Sequence, residues 1–281
     1  MQARQGAAWP PKYDLLGVAM SAARYEDAMA PVINQARCVH AACVTHLAVH
    51  GLVEGSADPM LREMLNAFDI VAPDGQPVRI ALNILYGTGL KDRCYGPEFM
   101  VRVCERSAQE GIGIYLYGST ARVVETLRDK LTARFPGLRV VGCEPSVFHP
   151  LTEEQDAALV QRMNESGAGI LFLGLGCPLQ EKMAYAHRDR VRAVQICVGA
   201  AFDFLSGNKK MAPAWMQRHA LEWLYRLVQE PRRLFWRYFR TNTLFLVKFF
   251  LQWSGLKKYP AIEDAASAPS PGAGPDDARG G

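Results

Sequence analysis

The chain has 281 residues, of which 49% are hydrophobic and 21% charged, and its formal net charge is +4. This composition suits a globular protein with a sizeable core and excludes a wholly disordered chain. The initial stretch MQARQGAAWPPKYD has no apolar run after a basic end, so we expect no signal peptide or membrane anchor, and a cytoplasmic protein. The cysteines are odd in number and form no CxxC pair, which favours reduced, mostly buried thiols over disulfides or a metal site. They stand at positions 38, 43, 94, 104, 143, 177 and 197.

Short apolar runs alternate with stretches of helical period in residues 1–213, which we call the body. Strands that are apolar throughout and separated by helices indicate parallel pairing in a sheet covered on both faces. We therefore predict an α/β fold, a Rossmann-like parallel sheet flanked by helices. The predicted strands are 38–44, 68–72, 112–118, 138–142, 169–174 and 193–199, and the predicted helices are 25–36, 58–66, 77–85, 97–109, 121–134, 152–165 and 180–190.

Residues 214–258, which we call the C-terminal appendage, differ from the body in charge. The stretch between Trp215 and Lys258 contains nine basic and two acidic residues, and four of the five tryptophans lie there. The mildly acidic body thus carries a strongly basic, aromatic segment. Residues 259–281 are rich in Ala, Pro, Gly and Asp with little to bury, so we predict a disordered tail.

Pro231 suits the first turn of a long helix in the appendage. At about 100° per residue, Arg233, Arg237, Arg240 and Lys248 gather on one side, and aromatic residues cover the rest. The apolar runs LFLV and FFL fall short of the roughly 20 residues that span a bilayer. We predict an amphipathic, membrane-binding helix in the lipid interface. The alternative is a helix packed on the body.

In parallel sheets, ligands bind at the carboxyl ends of the strands. Asp74 follows the second predicted strand, where it is a turn residue or a general base. Gly118-Ser119-Thr120 opens a helix, as an N-cap or as backbone that holds a diphosphate. Asp203, between two phenylalanines, needs a polar partner such as a ribose hydroxyl or a buried arginine. Gly174-Leu175-Gly176 allows close backbone approach, but neither GxGxxG nor GxxxxGKS is complete.

Six ordered stretches together resemble the WecG/TagA/CpsF family of bacterial glycosyltransferases over roughly residues 14–250. They read APDGQPVRIALN, KDRCYGPEFM, IYLYGST, LFLGLGCPLQEKM, VGAAFDFLSGNKKMAPAWMQ and LEWLYRLVQEPRR. The resemblance implies an inverting transferase that moves a sugar from a UDP-sugar onto a polyprenyl-diphosphate-linked saccharide at the cytoplasmic face of the plasma membrane. The implied donor belongs to the N-acetylmannosamine, N-acetylmannosaminuronic acid or glucuronic acid class. The family lacks the DxD metal motif, as does this chain, so no metal or other cofactor is expected.

The resemblance also assigns roles to residues. Asp74 matches the family's proposed base, and Arg93 matches an arginine near the phosphates or the acceptor, with a surface salt bridge as its alternative. Gln180 matches a glutamine that contacts the donor sugar, and Asp203 a residue that meets the nucleoside. The other positions expected to line the substrate pocket are Gly118, Ser119, Gly174, Gly176, Gly199, Ala200 and Phe202, with Arg226 and Arg233 gripping a diphosphate.

One departure from the family concerns its Thr-x-Asn at the end of the first predicted strand. In register, those positions are His40 and Ala42. The histidine is either a hydrogen-bonding partner for a sugar hydroxyl or carboxylate, or a satisfied core imidazole.

Two other classes stay open from the residues alone, a membrane-associated nucleotide-dependent oxidoreductase and a noncatalytic membrane-binding module. No nucleic-acid partner is expected. The oligomeric state stays open, with a homo-oligomer among the options.

Overall fold

Six parallel strands form the central sheet of the protein. The computed structural model describes residues 8–147, 149–213, 215–216 and 221–259, with the side chains of Arg233 and Arg237 left out. A short antiparallel hairpin precedes the sheet and consists of β1 (Lys12–Leu15) and β2 (Val18–Ser21). The sheet strands are β3 (Ala42–Leu47), β4 (Ile70–Pro73), β5 (Gly113–Gly118), β6 (Arg139–Glu144), β7 (Ile170–Gly174) and β8 (Val194–Cys197). Their order is β4-β3-β8-β7-β5-β6, with every neighbouring pair parallel.

Helices cover both faces of this sheet, as expected for parallel strands that are buried along most of their length. In the body they are α1 (Tyr25–Arg37), α2 (Val49–Ala57), α3 (Pro59–Asn66), α4 (Gln76–Tyr86), α5 (Gly96–Glu110), α6 (Ala121–Arg134), α7 (Glu153–Glu165), α8 (Leu179–His187) and α9 (Ala201–Ser206). Side chains of α2, α3, α4, α7 and α8 share one apolar cluster, and side chains of α1, α5, α6 and α9 share the other. The predicted Rossmann-like α/β fold is confirmed.

Local sequence explains where several helices begin and end. Asp58 caps α3 by accepting hydrogen bonds from the Met60 and Leu61 amides, with Pro59 as the first helical residue. Thr152 and Gln155 form a reciprocal capping box at the start of α7. Gly87 ends α4 in the left-handed conformation, where a Cβ would be strained.

The strand predicted at 38–44 is displaced. β3 begins at Ala42 and continues to Leu47, because α1 extends to Arg37 and Val39 has a left-handed φ of 52° that ends any extended run. His40 therefore precedes β3 and is exposed, at the amino end of the strand. The expectation that His40 and Ala42 stand at the strand's carboxyl end is wrong, since Thr45 and Leu47 stand there.

The described part of the C-terminal appendage contains two helices. They are α10 (Glu222–Gln229) and α11 (Pro231–Trp253). Pro231 is the first residue of α11, as predicted. The predicted tail falls almost wholly, from residue 260 onward, outside the described residues. Among the helices that the structure describes, none combines the length and the apolar character needed to cross a bilayer.

One face of α11 packs on the body. Phe245 is buried in the core cluster that contains α2. Gln252 bonds the hairpin, accepting from the Leu16 amide at 2.9 Å and donating to the Asp14 carbonyl at 3.0 Å. The Lys248 amine donates to the Ser56 hydroxyl of α2. Lys248 thus faces the body, which corrects its predicted place on an outward basic side with the arginines.

Candidate active site

Asp74 directly follows β4, at the carboxyl edge of the sheet. Its amide donates to the Leu47 carbonyl at 3.2 Å, and its Oδ1 accepts from the Gly96 amide at 3.3 Å. Burial raises the pKa of the Asp74 carboxyl to about 6; Arg93 and Arg226 oppose the rise, and the charge of Glu222 adds to it. Asp74 therefore changes protonation state near neutral pH, as a proton acceptor in catalysis must.

Two arginines and a tyrosine converge on Glu222 beside Asp74. Arg93 donates to Glu222 Oε2, while Tyr95 Oη and Arg226 Nη2 bond Oε1 at 2.9 and 3.0 Å. Burial alone would raise the pKa of Glu222, but the two guanidinium groups outweigh it and hold the pKa low. We call Arg93, Tyr95, Glu222 and Arg226 the arginine cluster. It joins the edge of the sheet to the first turn of α10.

Both guanidinium groups of the cluster also stack on aromatic rings. The Arg93 guanidinium lies 4.1 Å from the centre of the Tyr95 ring, and that of Arg226 lies 4.7 Å from the Phe204 ring. Stacking fixes the plane of a guanidinium and leaves its in-plane N–H groups free to bind oxygens. The Arg226 Nε is buried without a hydrogen-bond partner among the described residues. This donor is available to an anionic ligand.

Gln180 connects the loops that follow β7 and β8. Its Oε1 accepts from the Gly176 amide at 3.2 Å, and its Nε2 donates to Glu181 Oε1 at 3.0 Å. Gly199 has a φ of 48°, and a Cβ there would lie 3.2 Å from Gln180 Oε1. Thr45 Oγ1 donates to the same Glu181 oxygen at 2.8 Å. The structure thus brings Gly176, Gln180 and Gly199 together next to the end of β3.

Gly118 and Gly174 end neighbouring strands in register. A Cβ on Gly118 would lie 2.7 Å from the Gly174 backbone, and one on Gly174 would lie 2.5 Å from the Phe202 ring. Close packing therefore requires both glycines and positions Phe202 over them. Ser119 has a left-handed φ of 56°, but the helix cap is Thr120, whose hydroxyl accepts from the Val123 amide at 3.4 Å. The capping interpretation of this stretch is confirmed, at Thr120.

Asp203, in α9, finds its polar partners in the residues that directly follow this helix. Asn208 Nδ2 donates to Asp203 Oδ1 at 2.7 Å, and Lys209 Nζ lies 3.5 Å from Oδ2. Lys209 also pairs with Glu230, at 3.3 Å. A buried arginine is not the partner of Asp203 in the described structure. Arg233, the other predicted diphosphate ligand, lies outside the described side chains.

His46 is a buried residue of β3 that the sequence analysis did not single out. Its ring packs 4.8 Å from that of Phe99, and Nδ1 lies 3.4 Å from the Cys197 carbonyl. Burial lowers the pKa of His46 to about 4, so the imidazole is neutral at pH 7. Nε2 is buried without a hydrogen-bond partner among the described residues.

Glu222 and Tyr95 were also missed as site residues. Glu222 appeared in the sequence only as one of two acids in a basic segment, and Tyr95 as part of a motif. The available signal was the sharp excess of arginines around Glu222, since a carboxylate among arginines tends to pair with them. Its partner Arg93 lies far away in sequence, which local patterns do not reveal.

Comparison with known proteins supplies a family and two named relatives. The model of the glycosyl transferase WecG/TagA/CpsF family matches residues 13–259. The chain is 29% identical over 185 residues to an N-acetylglucosaminyldiphosphoundecaprenol N-acetyl-beta-D-mannosaminyltransferase of Bacillus spizizenii, covering 66% of this chain and 69% of the relative. It is 30% identical over 173 residues to a protein of the same name from Bacillus subtilis, covering 61% of this chain and 65% of that relative.

Proposed function

Because this chain belongs to the glycosyl transferase WecG/TagA/CpsF family, we propose that it transfers a sugar from a UDP-sugar to a polyprenyl-diphosphate-linked saccharide, with inversion at the anomeric carbon. The relatives' names specify an N-acetylmannosaminyl group and an N-acetylglucosaminyl-diphosphoundecaprenol acceptor. For this chain we propose a donor of the N-acetylmannosamine, N-acetylmannosaminuronic acid or glucuronic acid class. The product would enter the synthesis of a bacterial surface polysaccharide.

The observation that carries this proposal is the position of Asp74 beside the arginine cluster. Inversion in one displacement needs a base for the attacking hydroxyl and cationic groups for the departing diphosphate. Asp74, with its pKa raised to about 6, suits the first task. Arg93 and Arg226, held flat on aromatic rings, suit the second. A bound diphosphate would compete with Glu222 for their N–H groups.

We assign the donor side of the pocket to the loops after β5, β7 and β8. Gln180, Gly176 and Gly199 form a compact group there, next to Gly174 and Phe202. Hydroxyl groups of the donor sugar would replace the protein groups to which Gln180 is hydrogen-bonded. Asp203 would contact the nucleoside. Backbone at Gly118 and Ser119, which leads into α6, would approach the diphosphate.

We propose that transfer requires no metal ion, since arginines and backbone N–H groups can balance the leaving-group charge. Transfer is expected to survive excess EDTA. Activity that disappears in EDTA and returns with Mg²⁺ or Mn²⁺ would show that a metal holds the diphosphate.

We further propose that the enzyme binds peripherally to the cytoplasmic face of the plasma membrane through α11. Support comes from the outward face of this helix, where Phe235, Trp236 and Phe239 are exposed. Exposed aromatic residues next to basic ones suit the headgroup region of an anionic bilayer.

A donor screen with a synthetic polyprenyl-diphosphate-linked N-acetylglucosamine acceptor tests the function directly. The full-length protein is incubated with UDP-sugars of the three classes, and the lipid product is identified by mass spectrometry. One class should add a single sugar residue of the corresponding mass, and NMR of the product should show inverted configuration at the anomeric carbon. Release of a nicotinamide or flavin on denaturation would favour an oxidoreductase, and no turnover with any UDP-sugar would favour a binding module.

A further inference from the structure

A cluster of three unlike metal-ligating groups lies next to the donor side of the candidate active site. His50 and Glu54 stand one turn apart on α2, and Cys177 reaches them from the loop between β7 and α8. One ligand atom from each lies within 4.8 Å of the others. His50 Nε2 and Glu54 Oε1 are 3.1 Å apart. The sequence pattern missed this group because the cysteine is distant in the chain.

We propose that His50, Glu54 and Cys177 bind a zinc ion. Imidazole nitrogen, thiolate sulfur and carboxylate oxygen are the three ligand types that zinc accepts in proteins. With bonds of about 2.0–2.3 Å, tetrahedral geometry separates the ligand atoms by roughly 3.5 Å. Closing from 4.8 Å requires a side-chain movement of about 1 Å. Three protein ligands leave a fourth position for water or another small ligand.

A second observation at the same place concerns the Glu54 carboxylate. The Glu54 side chain is 39% exposed, but its Oε2 is buried and accepts no hydrogen bond from the described residues. A buried carboxylate oxygen without a partner is unfavourable unless a positive charge or a donor satisfies it. A zinc ion bound through this oxygen would satisfy it, and His50 Nε2 would exchange its contact with Oε1 for a bond to the ion.

The charges of the cluster also balance a divalent ion. Zinc binds the thiolate form of cysteine, so a protonated Cys177 must lose its proton on binding. On binding, the S–H bond breaks, the proton passes to solvent and the sulfur electron pair forms the bond to zinc. The thiolate and the Glu54 carboxylate then neutralise the charge of the ion.

The position of the cluster suggests a structural consequence. Cys177 follows Gly176, whose amide bonds Gln180, so zinc would tie this loop to α2. Val49, Leu52 and Val53 of α2 belong to one apolar cluster, whereas Cys94 and Phe99, which flank the arginine cluster in sequence, belong to the other. The zinc would therefore hold the donor-side loop against α2.

Cobalt titration of the full chain tests the site without any activity measurement. The protein is first freed of metal, then Co²⁺ is added and the absorption spectrum recorded. One equivalent should give a thiolate-to-cobalt band in the near ultraviolet with visible bands of tetrahedral intensity, and Zn²⁺ should displace them. Calorimetry with Zn²⁺ should give one site and release about one proton per ion.

Variants identify the ligands. Cys177→Ser should lose the near-ultraviolet band, and His50→Ala and Glu54→Gln should each weaken Zn²⁺ binding by at least about tenfold. Cys38→Ser is the matched control, since Cys38 is exposed, and it should bind like the parent chain. The inference is overturned if one equivalent of Co²⁺ gives no thiolate band, or if the band persists in Cys177→Ser and disappears in Cys38→Ser.

Thermal unfolding supplies a measurement that remains valid if one variant folds poorly. Zn²⁺ should raise the Tm of the parent chain by mass action and raise the Tm of His50→Ala by less at the same concentration. Equal Tm increases in the two proteins would place the ion elsewhere. None of these measurements involves a sugar donor, so failure of the proposed transferase activity would leave their outcome unaffected.

Discussion

At the scale of single residues, Asp74 decides the chemistry that we propose. The raised pKa means that its charged form is disfavoured by burial. Asp74→Asn removes the base but keeps an oxygen that can accept from the Gly96 amide. We expect transfer to fall by about two to four orders of magnitude, with UDP binding retained and the Tm equal to or above that of the parent chain.

The matched control for this substitution is Asp92→Asn, because Asp92 is exposed and close in sequence. Steady-state kinetics and UDP calorimetry on both variants separate catalysis from binding. Near-parental turnover in Asp74→Asn would remove Asp74 from the mechanism. A loss of UDP binding equal to the loss of turnover would make it a binding residue instead.

The protonation of Asp74 also predicts the pH dependence of transfer. A base must be ionised to act, so the rate should fall as pH drops through about 6, the raised pKa of this carboxyl, and not near its ordinary value. The negative charge of Glu222 contributes to the raised pKa of Asp74. Glu222→Gln should therefore lower the pKa of Asp74 and move the acidic limb of the kcat/KM profile to lower pH.

Glu230→Gln serves as the control for this shift, since Glu230 lies 3.3 Å from Lys209, which is not part of the arginine cluster. Its acidic limb should coincide with that of the parent. A limb in Glu222→Gln that stays in place or moves to higher pH would contradict the electrostatic coupling between Glu222 and Asp74.

At the scale of elements, the surface of α11 divides into two faces. Leu234, Phe245 and Gln252 contact the body or are buried, whereas Trp236 and Phe239 are 70% and 61% exposed. The rings of Trp236 and Phe239 contact each other edge to face, with 6.2 Å between the ring centres. Neither of the two sequence interpretations, interfacial helix or packed helix, describes α11 alone. One face packs on the body, and the other is exposed and available for the membrane contact that we propose.

We predict that the double substitution Trp236→Ala and Phe239→Ala weakens binding to anionic liposomes. Inserting an aromatic side chain into the headgroup boundary gains about 1 kcal/mol or more, so the pair should cost about tenfold or more in the partition coefficient. Co-sedimentation with liposomes measures it. Met60→Ala on α3 is the control, since Met60 is 66% exposed yet lies outside the appendage. Equal losses in both proteins would exclude α11 as the membrane-binding face.

The elements that sequence patterns predicted are those with strong local signals. All six sheet strands and seven body helices were expected, because buried strands read as continuous apolar runs and several helices carry clear caps. The start of β3 was misplaced because Cys38 and Val39 look like strand residues, although the left-handed φ of Val39 excludes them.

The elements that were missed depend on tertiary contacts. In α2, VHGLVEGSA contains two glycines, which disfavour a helix in isolation. Close packing requires glycine at both positions, since a Cβ on Gly51 would lie 2.6 Å from Leu47 and one on Gly55 would lie 2.6 Å from Leu65. The arginine cluster is similar, since Arg93 and Glu222 meet only after the appendage has folded onto the sheet. Local patterns thus identified Asp74 and the family resemblance added Arg93, but neither identified the carboxylate that holds Arg93.

At the scale of the whole molecule, the C-terminal appendage contacts the body at two separated places. Glu222 and Arg226 of α10 complete the arginine cluster, and Phe245 of α11 is buried with side chains of α2. Removing one partner of a buried ion pair leaves the other charge uncompensated. The appendage therefore has two separable roles in our proposal, completing the site and recruiting the enzyme to the membrane.

Deleting residues 214–281 tests both roles together. The truncated protein should no longer sediment with anionic liposomes, because the exposed aromatic face is gone. It should also lose transfer to a water-soluble acceptor with a short prenyl chain, because Arg93 loses Glu222 and the diphosphate loses Arg226. Circular dichroism confirms folding, since the deletion uncovers the surface of α2 that Phe245 occupies.

The short-chain acceptor separates recruitment from catalysis. The Trp236→Ala and Phe239→Ala variant is the matched control, since it keeps α10 and should use this acceptor at the parental rate. If the truncated protein also transfers to the short-chain acceptor at the parental rate, the appendage serves recruitment alone. If it still binds liposomes and still uses the long-chain acceptor fully, neither role belongs to the appendage. We expect loss with both acceptors, because Asp74 can accept a proton productively only when the leaving diphosphate is held by both arginines.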